Sequence, residues 1–475
     1  MTSITLQETE LEILRKAVDS AEMRINTKMA QSEFIKDINS IVENFIREKK
    51  LICYGGTAIN NILPVEDQFY NKDVDIPDYD FFSTNAIKHA KELADIYVKA
   101  GYTDVESKAG VHNGTYKVFV NFIPVADITF LDNEIYRSLI KEAIKVNGIL
   151  YSPPNFLRMG MYLELSRPAG DVSRWEKVLK RLILLNKHYP LNNKECELLD
   201  FQREYEGNKD QEKKLYFTIR NSIIDQGLIF FGGYASTLYG KYMPYNQRKQ
   251  LQNIPDFDIL SEDPIMSSTL IKERLNDIGY KKIRIVKRKP IGELISEHYE
   301  IIIDKDTICM VYKPLACHSY NTIKIKNKII KVASIDTMLS FYLAFLYANR
   351  PYFNKERLLC MAQYLFVVQS KNRLKQRGLL RRFSINCYGR QETMEDIRSN
   401  KAIKFQELKN KKNSKEYEEY FLRYAPSDKL NTKHLKKTQK TQKTQKSRKI
   451  NKKKQKNTRK TTINNIKKKT WFVII

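Results

Sequence analysis

The stretch that decides the fold is Leu51-Ile-Cys-Tyr-Gly-Gly-Thr57, a short apolar run that stops at two glycines. An apolar run of this length predicts a buried strand, and the glycine pair predicts a tight turn. A helix is expected to start at Thr57, so the segment indicates a strand, a glycine turn and a helix. Residues 5–48 place apolar side chains at helical spacing and predict two further helices before it.

The chain repeats this arrangement 177 residues later, where Leu228-Ile-Phe-Phe-Gly-Gly-Tyr234 has the same apolar run and diglycine. Each copy is followed by a Pro-Asp-aromatic-Asp element, at 77–80 and at 255–258, and these elements lie 178 residues apart. Two separate features in the same register predict two copies of one α/β domain.

The aspartates of the first copy have the spacing of metal ligands. Asp78 and Asp80 are separated by one residue, so on a strand their carboxylates point to the same face. Mg²⁺ prefers a few carboxylates together with substrate phosphates. Two-metal phosphoryl transfer uses a further carboxylate, and Asp127 within the apolar run 125–130 is the candidate.

The glycine turn of the first copy predicts a phosphate site. Gly55 and Gly56 let backbone N–H groups approach a triphosphate at a helix N-terminus, and Thr57 adds a hydroxyl donor. A lone diglycine more often marks a turn alone, and Asp73 with Asp75 offers a competing carboxylate pair. The later pair is preferred because an apolar strand follows it directly.

Three motifs carry a family resemblance: Tyr54-Gly-Gly-Thr-Ala-Ile-Asn60, Pro77-Asp-Tyr-Asp-Phe-Phe-Ser83 and Pro124-Val-Ala-Asp-Ile-Thr-Phe130. They resemble the polymerase-beta-type nucleotidyltransferase signature and, more narrowly, the catalytic subunit of viral poly(A) polymerases from large cytoplasmic DNA viruses. The resemblance implies an enzyme that adds AMP from ATP, without a template, to the 3′ end of RNA and releases pyrophosphate. It also implies that the three aspartates named above hold Mg²⁺ or Mn²⁺.

The expected fold class is α/β (α+β), with two tandem polymerase-beta-like nucleotidyltransferase domains and helical segments around them. The expected divisions are N-terminal helices at 1–48, a catalytic domain at 49–135, a helical connector at 136–226, a second domain at 227–350, a C-terminal helical region at 351–428 and a disordered basic tail at 429–475.

The second copy is expected to be degenerate. It keeps Asp256 and Asp258, but an ungapped alignment of the strands puts Met310 where the first copy has Asp127. A constant offset instead leads to Lys305, in a predicted turn. This domain is expected to serve packing, RNA binding or dimer contacts.

Basic residues outside the motifs are candidates for phosphate contacts, although most charged helix positions are simply solvated. For the nucleotide the candidates are Arg158 and Lys177. For RNA they are Arg373, Arg377 and Arg381, which would share one face if this stretch is helical, an assignment that Gly378 weakens.

Charge and composition limit the class of protein. The chain has 475 residues and a formal net charge of +28, and residues 429–469 contribute eighteen Lys or Arg without Asp or Glu. Such a tail cannot bury a core and would bind polyanions. The six cysteines lack a C-x-x-C pair, which argues against a zinc knuckle or a disulfide framework and favours a reducing compartment.

The expected location is the cytoplasm of a host cell or a virion, without a membrane partner, because the sequence has no signal peptide or long apolar stretch. The expected partners are an RNA 3′ end, ATP, and a second copy or a separate processivity subunit. Two alternatives stay open: a nucleotidyltransferase with a different nucleotide or acceptor, and a catalytically inactive RNA-binding scaffold.

Overall fold

The computed structural model describes residues 6–30, 32–70, 77–192, 196, 209–243 and 256–426. The predicted tail at 429–475 therefore lies outside the described residues. Within the described ranges, no helix is both long and apolar enough to cross a membrane.

Two helices precede the first sheet, as the periodicity predicts: α1 (Leu6–Ala30) and α2 (Glu33–Lys49). Ser32 caps α2 by accepting a hydrogen bond from the backbone N–H of Ile35, and the helix ends at Lys50 in the left-handed conformation. Its apolar face is buried against the first copy through Ile38, Val42, Phe45 and Ile46.

The first copy forms a mixed sheet around the diglycine turn. Its strands are β1 (Ile52–Cys53), β2 (Tyr79–Ser83), β3 (Val105–Ala109), β4 (Thr115–Val120), β5 (Ile123–Phe130), β6 (Ile144–Val146) and β7 (Ile149–Tyr151). Its helices are α3 (Gly55–Ile62), α4 (Ala86–Lys99) and α5 (Asn133–Glu142). The strand order is β3-β4-β5-β2-β1-β7-β6.

The described residues of the connector that follows form α6 (Pro154–Leu165), α7 (Trp175–His188) and α8 (Lys209–Asp225). The second sheet then contains β8 (Ile229–Phe231), β9 (Phe257–Leu260), β10 (Ile283–Arg288), β11 (His298–Ile303), β12 (Asp306–Tyr312), β13 (His318–Ile325) and β14 (Lys328–Ala333). The helices α9 (Gly232–Tyr239) and α10 (Pro264–Asp277) accompany it.

The two sheets have the same topology. The second runs β10-β11-β12-β9-β8-β14-β13, which matches the first strand for strand. Asp80 on β2 pairs in register with Asp127 on β5, and Asp258 on β9 pairs with Met310 on β12. The prediction of two copies is therefore confirmed, and so is the position of Met310. Lys305 lies in the turn between β11 and β12.

The C-terminal segment connects the two copies. It contains α11 (Ile335–Phe345), α12 (Lys355–Lys371), β15 (Cys387–Tyr388), α13 (Met394–Leu408), α14 (Lys415–Phe421) and β16 (Arg423–Tyr424). β15 pairs with β13 in the second sheet, whereas β16 pairs with β3 and completes the first sheet. The Tyr116 hydroxyl donates to the carbonyl of Glu419, which helps to hold α14 against the first copy.

These contacts change two expected divisions. β6 and β7 belong to the first sheet, so the first copy continues beyond residue 135. The region 351–428 is also not purely helical, because it supplies an edge strand to each sheet. Short edge strands carry little sequence pattern, and their partners are distant along the chain, so periodicity could not reveal them.

Four of the six cysteines form disulfides, which makes the expectation of no disulfide framework wrong. Cys196 is joined to Cys360, and Cys317 is joined to Cys387, with Cα–Cα separations of 5.2 and 5.1 Å. The partners lie 164 and 70 residues apart, so local spacing gave no sign of the pairing. The second disulfide fastens β15 to the start of β13.

Candidate active site

Three adjacent strands of the first copy place charged residues in one row. Asp80 on β2 lies opposite Asp127 on the parallel strand β5, and Asp127 lies opposite Lys117 on the antiparallel strand β4. Directly opposed side chains on one sheet face are close neighbours, so the three groups can interact. Asp78 lies just before β2 and acts electrostatically on Asp80. The structure thus brings together the three predicted aspartates and adds Lys117, which sequence reasoning missed.

The carboxylates of this row are crowded and poorly solvated. Burial raises the pKa of Asp80 to about 7, and the charges of Asp78 and Asp127 add to the effect. Burial, followed by the charge of Asp127, also raises the pKa of Asp78. Asp127 forms an ion pair with Lys117 through Oδ2, while its Oδ1 is buried with no hydrogen-bond partner among the described residues. Carboxylates held this close together and away from water are stabilised when a cation binds them.

The donor set fits a hard divalent ion in its chemistry. All three predicted ligands offer carboxylate oxygens, which suit Mg²⁺ or Mn²⁺, and Asp127 has one oxygen unused within the described structure. Across the described ranges, no three His, Cys, Asp or Glu side chains are already arranged as a metal-binding group. The carboxylates are therefore assembled in one region, with Lys117 bound to one of them.

The glycine turn packs directly against this row. Gly55 begins α3 with a φ of +74°, and a Cβ there would lie 2.7 Å from Oδ2 of Asp80. Glycine is required on both counts. The hydroxyl of Thr57 is buried and donates to the carbonyl oxygen of Asp78 at 2.8 Å. The Thr57 hydroxyl therefore fastens the turn to the aspartate strand, which argues against the expectation that it donates to a phosphate.

Arg181 on α7 is a second residue that sequence reasoning missed. A Cβ on Gly56 would lie 2.9 Å from Nη1 of Arg181 and 2.7 Å from the hydroxyl of Tyr70. Nη2 of Arg181 donates to that hydroxyl at 2.6 Å. A guanidinium thus lies directly over the predicted phosphate turn. Its position four residues after Lys177 on one helix was the available signal.

Lys177 and Arg181 on α7, together with Arg174 at its N-cap, form what we call the basic face of α7. The charge of Arg181 lowers the pKa of Lys177 most, with contributions from burial and from Arg174. The charge of Arg174 also acts on Asp80 by opposing the rise of its pKa. Lys177 is therefore close enough to Arg181, the residue over the glycine turn, for their charges to interact, and its contact with a nucleotide stays a prediction.

Arg158 does not reach the glycine turn or the aspartates. It is 1% exposed, and its guanidinium donates to the side chains of Asn186 and Asn155 and to the carbonyl oxygen of Tyr189. Burial lowers its pKa to about 10. All three of its donor nitrogens are used inside the protein, so the structure supports a packing role and does not support nucleotide binding.

The predicted RNA-binding arginines do not share a helix face, so that expectation is wrong. α12 ends at Lys371, and a single 3₁₀ turn at Gly378–Leu380 separates Arg377 from Arg381. Arg373 and Arg381 border one small cavity, whereas Arg377 does not line it. α12 has already ended at Lys371, and the φ of +57° at Gly378 prevents an α-helix from continuing through the rest of this stretch.

The loop after α12 is nevertheless connected to the active-site side of the molecule. Arg382 forms an ion pair with the fully buried Asp336 at 3.0 Å, which fixes the end of the loop. The ring of Phe383 then lies 5.9 Å from the ring of Trp175, the first residue of α7. The basic loop and the basic face of α7 are therefore joined through this aromatic pair.

The equivalent region of the second copy is filled by side chains. Asp256, Asp258 and Met310 border a cavity of only about 30 Å³. Arg357 of α12 also borders this cavity. Its other walls are largely aromatic: Tyr312, Tyr342, Phe345, Tyr352 and Phe353. This region lacks the space that a nucleoside triphosphate would require.

Residues 40–171 match the family model described as "Poly(A) polymerase catalytic subunit". This segment resembles viral poly(A) polymerase catalytic subunits. It contains the glycine turn, the three aspartates and Lys117, while Lys177 and Arg181 follow shortly after it. The resemblance inferred from the motifs is thereby confirmed for this part of the chain.

Two curated relatives are provisionally described as poly(A) polymerase catalytic subunits. One, from Acanthamoeba polyphaga mimivirus, is 32% identical over 184 residues, which cover 38% of this chain and 30% of the relative. The other, from African swine fever virus (strain Badajoz 1971 Vero-adapted), is 34% identical over 157 residues, covering 32% of this chain and 33% of the relative. The alignments thus span about a third of these relatives.

The fold matches a solved structure over most of its length. The crystal structure of the Megavirus polyadenylate synthase aligns with a TM-score of 0.75 and 20% identity, covering 89% of this chain and 86% of that protein. The predicted fold class, with two related α/β domains and helical segments around them, is confirmed by this likeness and by the two matching sheets.

Proposed function

We propose that this chain is a polynucleotide adenylyltransferase that adds AMP from ATP, without a template, to the 3′ end of RNA and releases pyrophosphate. The observation that carries the proposal is the pairing of Asp80 with Asp127 beside the Gly55 turn, inside the segment that matches the poly(A) polymerase family. Adenylate as the nucleotide is supported by the descriptions of the relatives.

Asp78, Asp80 and Asp127 would hold the divalent ions, Mg²⁺ or Mn²⁺. When bound, such ions supply Lewis acidity at the α-phosphate and lower the pKa of an attacking hydroxyl. The carboxylates themselves fix the position of the site, because Asp80 and Asp127 are held in register on adjacent strands. Since the fold sets their separation, little reorganisation is needed when the site is used.

The triphosphate would be held by the glycine turn and the basic face of α7. Gly55 and Gly56 allow close approach of the backbone at the N-terminus of α3, where N–H groups favour an anion. Arg181 and Lys177 add positive charge above the same turn. The hydrogen bond from Arg181 to Tyr70 fixes the guanidinium before a phosphate binds, so less conformational entropy is lost on binding.

RNA is proposed to reach the site along the loop that follows α12. Arg373 and Arg381 lie on this loop, and Arg377 is exposed nearby. The basic sequence at 429–469 would add salt-dependent attraction for RNA. The relatives' description as catalytic subunits favours an assembly with a further subunit or a second copy, and the host cytoplasm is the proposed location.

Primer extension tests this proposal. A short labelled RNA is incubated with Mg²⁺ or Mn²⁺ and each of the four nucleoside triphosphates separately, and pyrophosphate is measured alongside. We expect long extension with ATP alone, lost in Asp80→Ala and kept in the matched control Asp258→Ala. Equal use of all four triphosphates would favour a different nucleotidyltransferase, and no turnover with any of them would favour a scaffold or a missing subunit.

A further inference from the structure

Lys117 occupies a fixed place in the row of aspartates. Side chains along β4 alternate, with Tyr116, Val118 and Val120 in the core and Lys117 on the partly open face. Because β4 pairs with β5 in register, Lys117 is directly opposite Asp127. A shift of one residue would turn it into the core, so its position is determined by the sheet.

The contacts of Lys117 are those of a counter-ion. Its Nζ pairs with Oδ2 of Asp127, whose side chain is 15% exposed, and Oδ1 of Asp127 has no hydrogen-bond partner in the described ranges. The charge of Lys117 also stabilises the ionised forms of Asp78 and Asp80. One ammonium group therefore acts on all three carboxylates that the proposed function assigns to metal binding.

The second copy shows what happens to this position where the third carboxylate is absent. Met310 replaces Asp127 there, and the residue opposite Met310 is Glu300. Glu300 turns to Arg288 and Thr307 instead. The lysine and the aspartate are thus both missing from the second copy, which links Lys117 to the carboxylate site rather than to the fold.

We propose that Lys117 acts as a placeholder cation, and that its ammonium group competes with a divalent ion for Asp127. This inference rests on the proposed function, because it concerns the same carboxylates. In the metal-free protein the lysine reduces the repulsion within the row. A divalent ion that binds Oδ2 must displace the ammonium group, and one that binds Oδ1 lies beside its positive charge, so Lys117 weakens metal binding and keeps the site assembled when no metal is present.

Titration of the full chain with Mn²⁺ in the absence of nucleotide tests this competition, with free Mn²⁺ measured by electron paramagnetic resonance. Lys117→Met should bind Mn²⁺ roughly tenfold more tightly than the wild type, since a neighbouring cation shifts ion binding at a carboxylate by about that factor or more. Its melting temperature without metal should fall, and added Mn²⁺ should restore it.

Lys108→Met is the matched control. Lys108 is the register partner of Lys117 on β3, and it forms its own ion pair with Glu106 at 2.7 Å. Removing it deletes a lysine and a surface ion pair on the adjacent strand without touching the aspartates. We expect its affinity for Mn²⁺ to equal that of the wild type.

Asp80→Ala separates failure of this inference from failure of the proposed function. If wild-type binding of Mn²⁺ depends on Asp80 but Lys117→Met binds no more tightly, the placeholder role is wrong and the metal site stands. If neither the wild type nor Lys117→Met shows binding that depends on Asp80, both proposals fail.

A measurement on the wild type covers the case in which Lys117→Met does not fold. Lysine acylation read by mass spectrometry should modify Lys117 more readily when Mn²⁺ is present, because the ammonium group is released from Asp127. Lys108 serves as the internal reference in the same digest. Unchanged labelling of Lys117 at saturating Mn²⁺ would overturn the inference.

Discussion

The two copies share a scaffold and differ in a few side chains. In both, the first glycine of the pair has a positive φ and packs against the second aspartate of the Pro-Asp-aromatic-Asp element: Gly55 on Asp80, and Gly232 on Asp258. The position that carries Asp127 in the first copy carries Met310 in the second. The strand, turn and aspartate packing are therefore features of the fold, whereas the third carboxylate belongs to the chemistry.

The surroundings of the two aspartate pairs differ even more than the pairs themselves. The first copy faces the basic face of α7, with Arg181 above the turn. The second copy faces mainly aromatic side chains and Arg357, which leave a cavity of about 30 Å³. One scaffold thus carries a row of charged side chains beside a basic helix face in one copy and a small, largely aromatic cavity in the other.

A reciprocal exchange tests this comparison most severely. Asp127→Met should lower primer extension by roughly a thousandfold, on the scale of losing one strong electrostatic contact to the transition state. Met310→Asp should leave extension unchanged and lower the free energy of unfolding by about 3 kcal/mol, because it places a carboxylate beside Asp258 at a site that is 1% exposed. Extension assays and urea unfolding measure the two effects.

The exchange would contradict the comparison in either of two ways. Retained activity in Asp127→Met would place the chemistry elsewhere. A new Mn²⁺ site in Met310→Asp, without loss of stability, would mean that the second copy had lost only its third ligand and not the space for a nucleotide.

Removing the guanidinium above the turn is expected to have the next largest effect. Arg181→Met should raise KM for ATP by roughly ten- to a hundredfold, because a hydrogen bond to a charged group contributes about 1.5–3 kcal/mol. Lys180→Met is the control, since Lys180 is on the same helix but its side chain is 71% exposed and paired with Glu176. Steady-state kinetics would show equal KM values for both variants if the basic face of α7 does not bind the triphosphate.

Substitutions of Gly55 and Gly232 are expected to affect stability and activity in opposite orders. Gly55→Ala and Gly232→Ala should each lower the free energy of unfolding by about 1–3 kcal/mol, because both positions have a left-handed φ and a Cβ would meet an aspartate. Gly232→Ala should cost more, since its Cβ would also lie 2.7 Å from both Cβ and Cγ of Asp258.

The loss of primer extension should follow the opposite order, with Gly55→Ala affected more than Gly232→Ala. Gly55→Ala would displace Asp80 and reduce extension, whereas Gly232→Ala should keep wild-type extension at a temperature where it remains folded. Urea unfolding and primer extension on the same preparations check both orders. Equal loss of activity in the two variants would mean that the second turn also takes part in the reaction.

The repeated parts of this fold could be predicted from the sequence because each carries a local signal. The apolar run before each diglycine and the Asp-x-Asp spacing lie within a few residues, and their recurrence at 177 and 178 residues gives the duplication. The absence of a third carboxylate at Met310 also followed from aligning strands, since pairing in a sheet preserves register.

The remaining features depend on contacts between distant residues. Lys117 meets Asp127 only through strand pairing, and Arg181 reaches Gly56 only because α7 folds over the turn. The sequence predicts that the Thr57 hydroxyl donates to a phosphate, whereas in the structure it donates to the carbonyl oxygen of Asp78. Arg158 was chosen for its charge, but packing buries it. Sequence spacing shows which groups are present and does not show which of them are already paired.

The smallest expected effect is a loss of stability at low pH that arises from the second copy. His318, at the start of β13 in the second sheet, is buried with neither ring nitrogen hydrogen-bonded within the described part of the chain. Burial, aided by the charge of Arg167, lowers its pKa to about 3. The unfolded chain takes up a proton near pH 6.5 while the folded chain does not, so stability is lost as the pH falls below that value.

His318→Leu should remove this loss, because leucine has no proton to take up and the site offers no hydrogen bond to sacrifice. Between pH 6.5 and 5 the wild type should lose about 1–2 kcal/mol more than the variant in urea unfolding. The partly buried His89 and the buried His298 have lowered pKa values in both proteins, so their contributions cancel in the difference. His112→Gln, at an exposed turn of the first copy, should follow the wild type. If His318→Leu also follows it, protonation of His318 is not the source of the acid destabilisation.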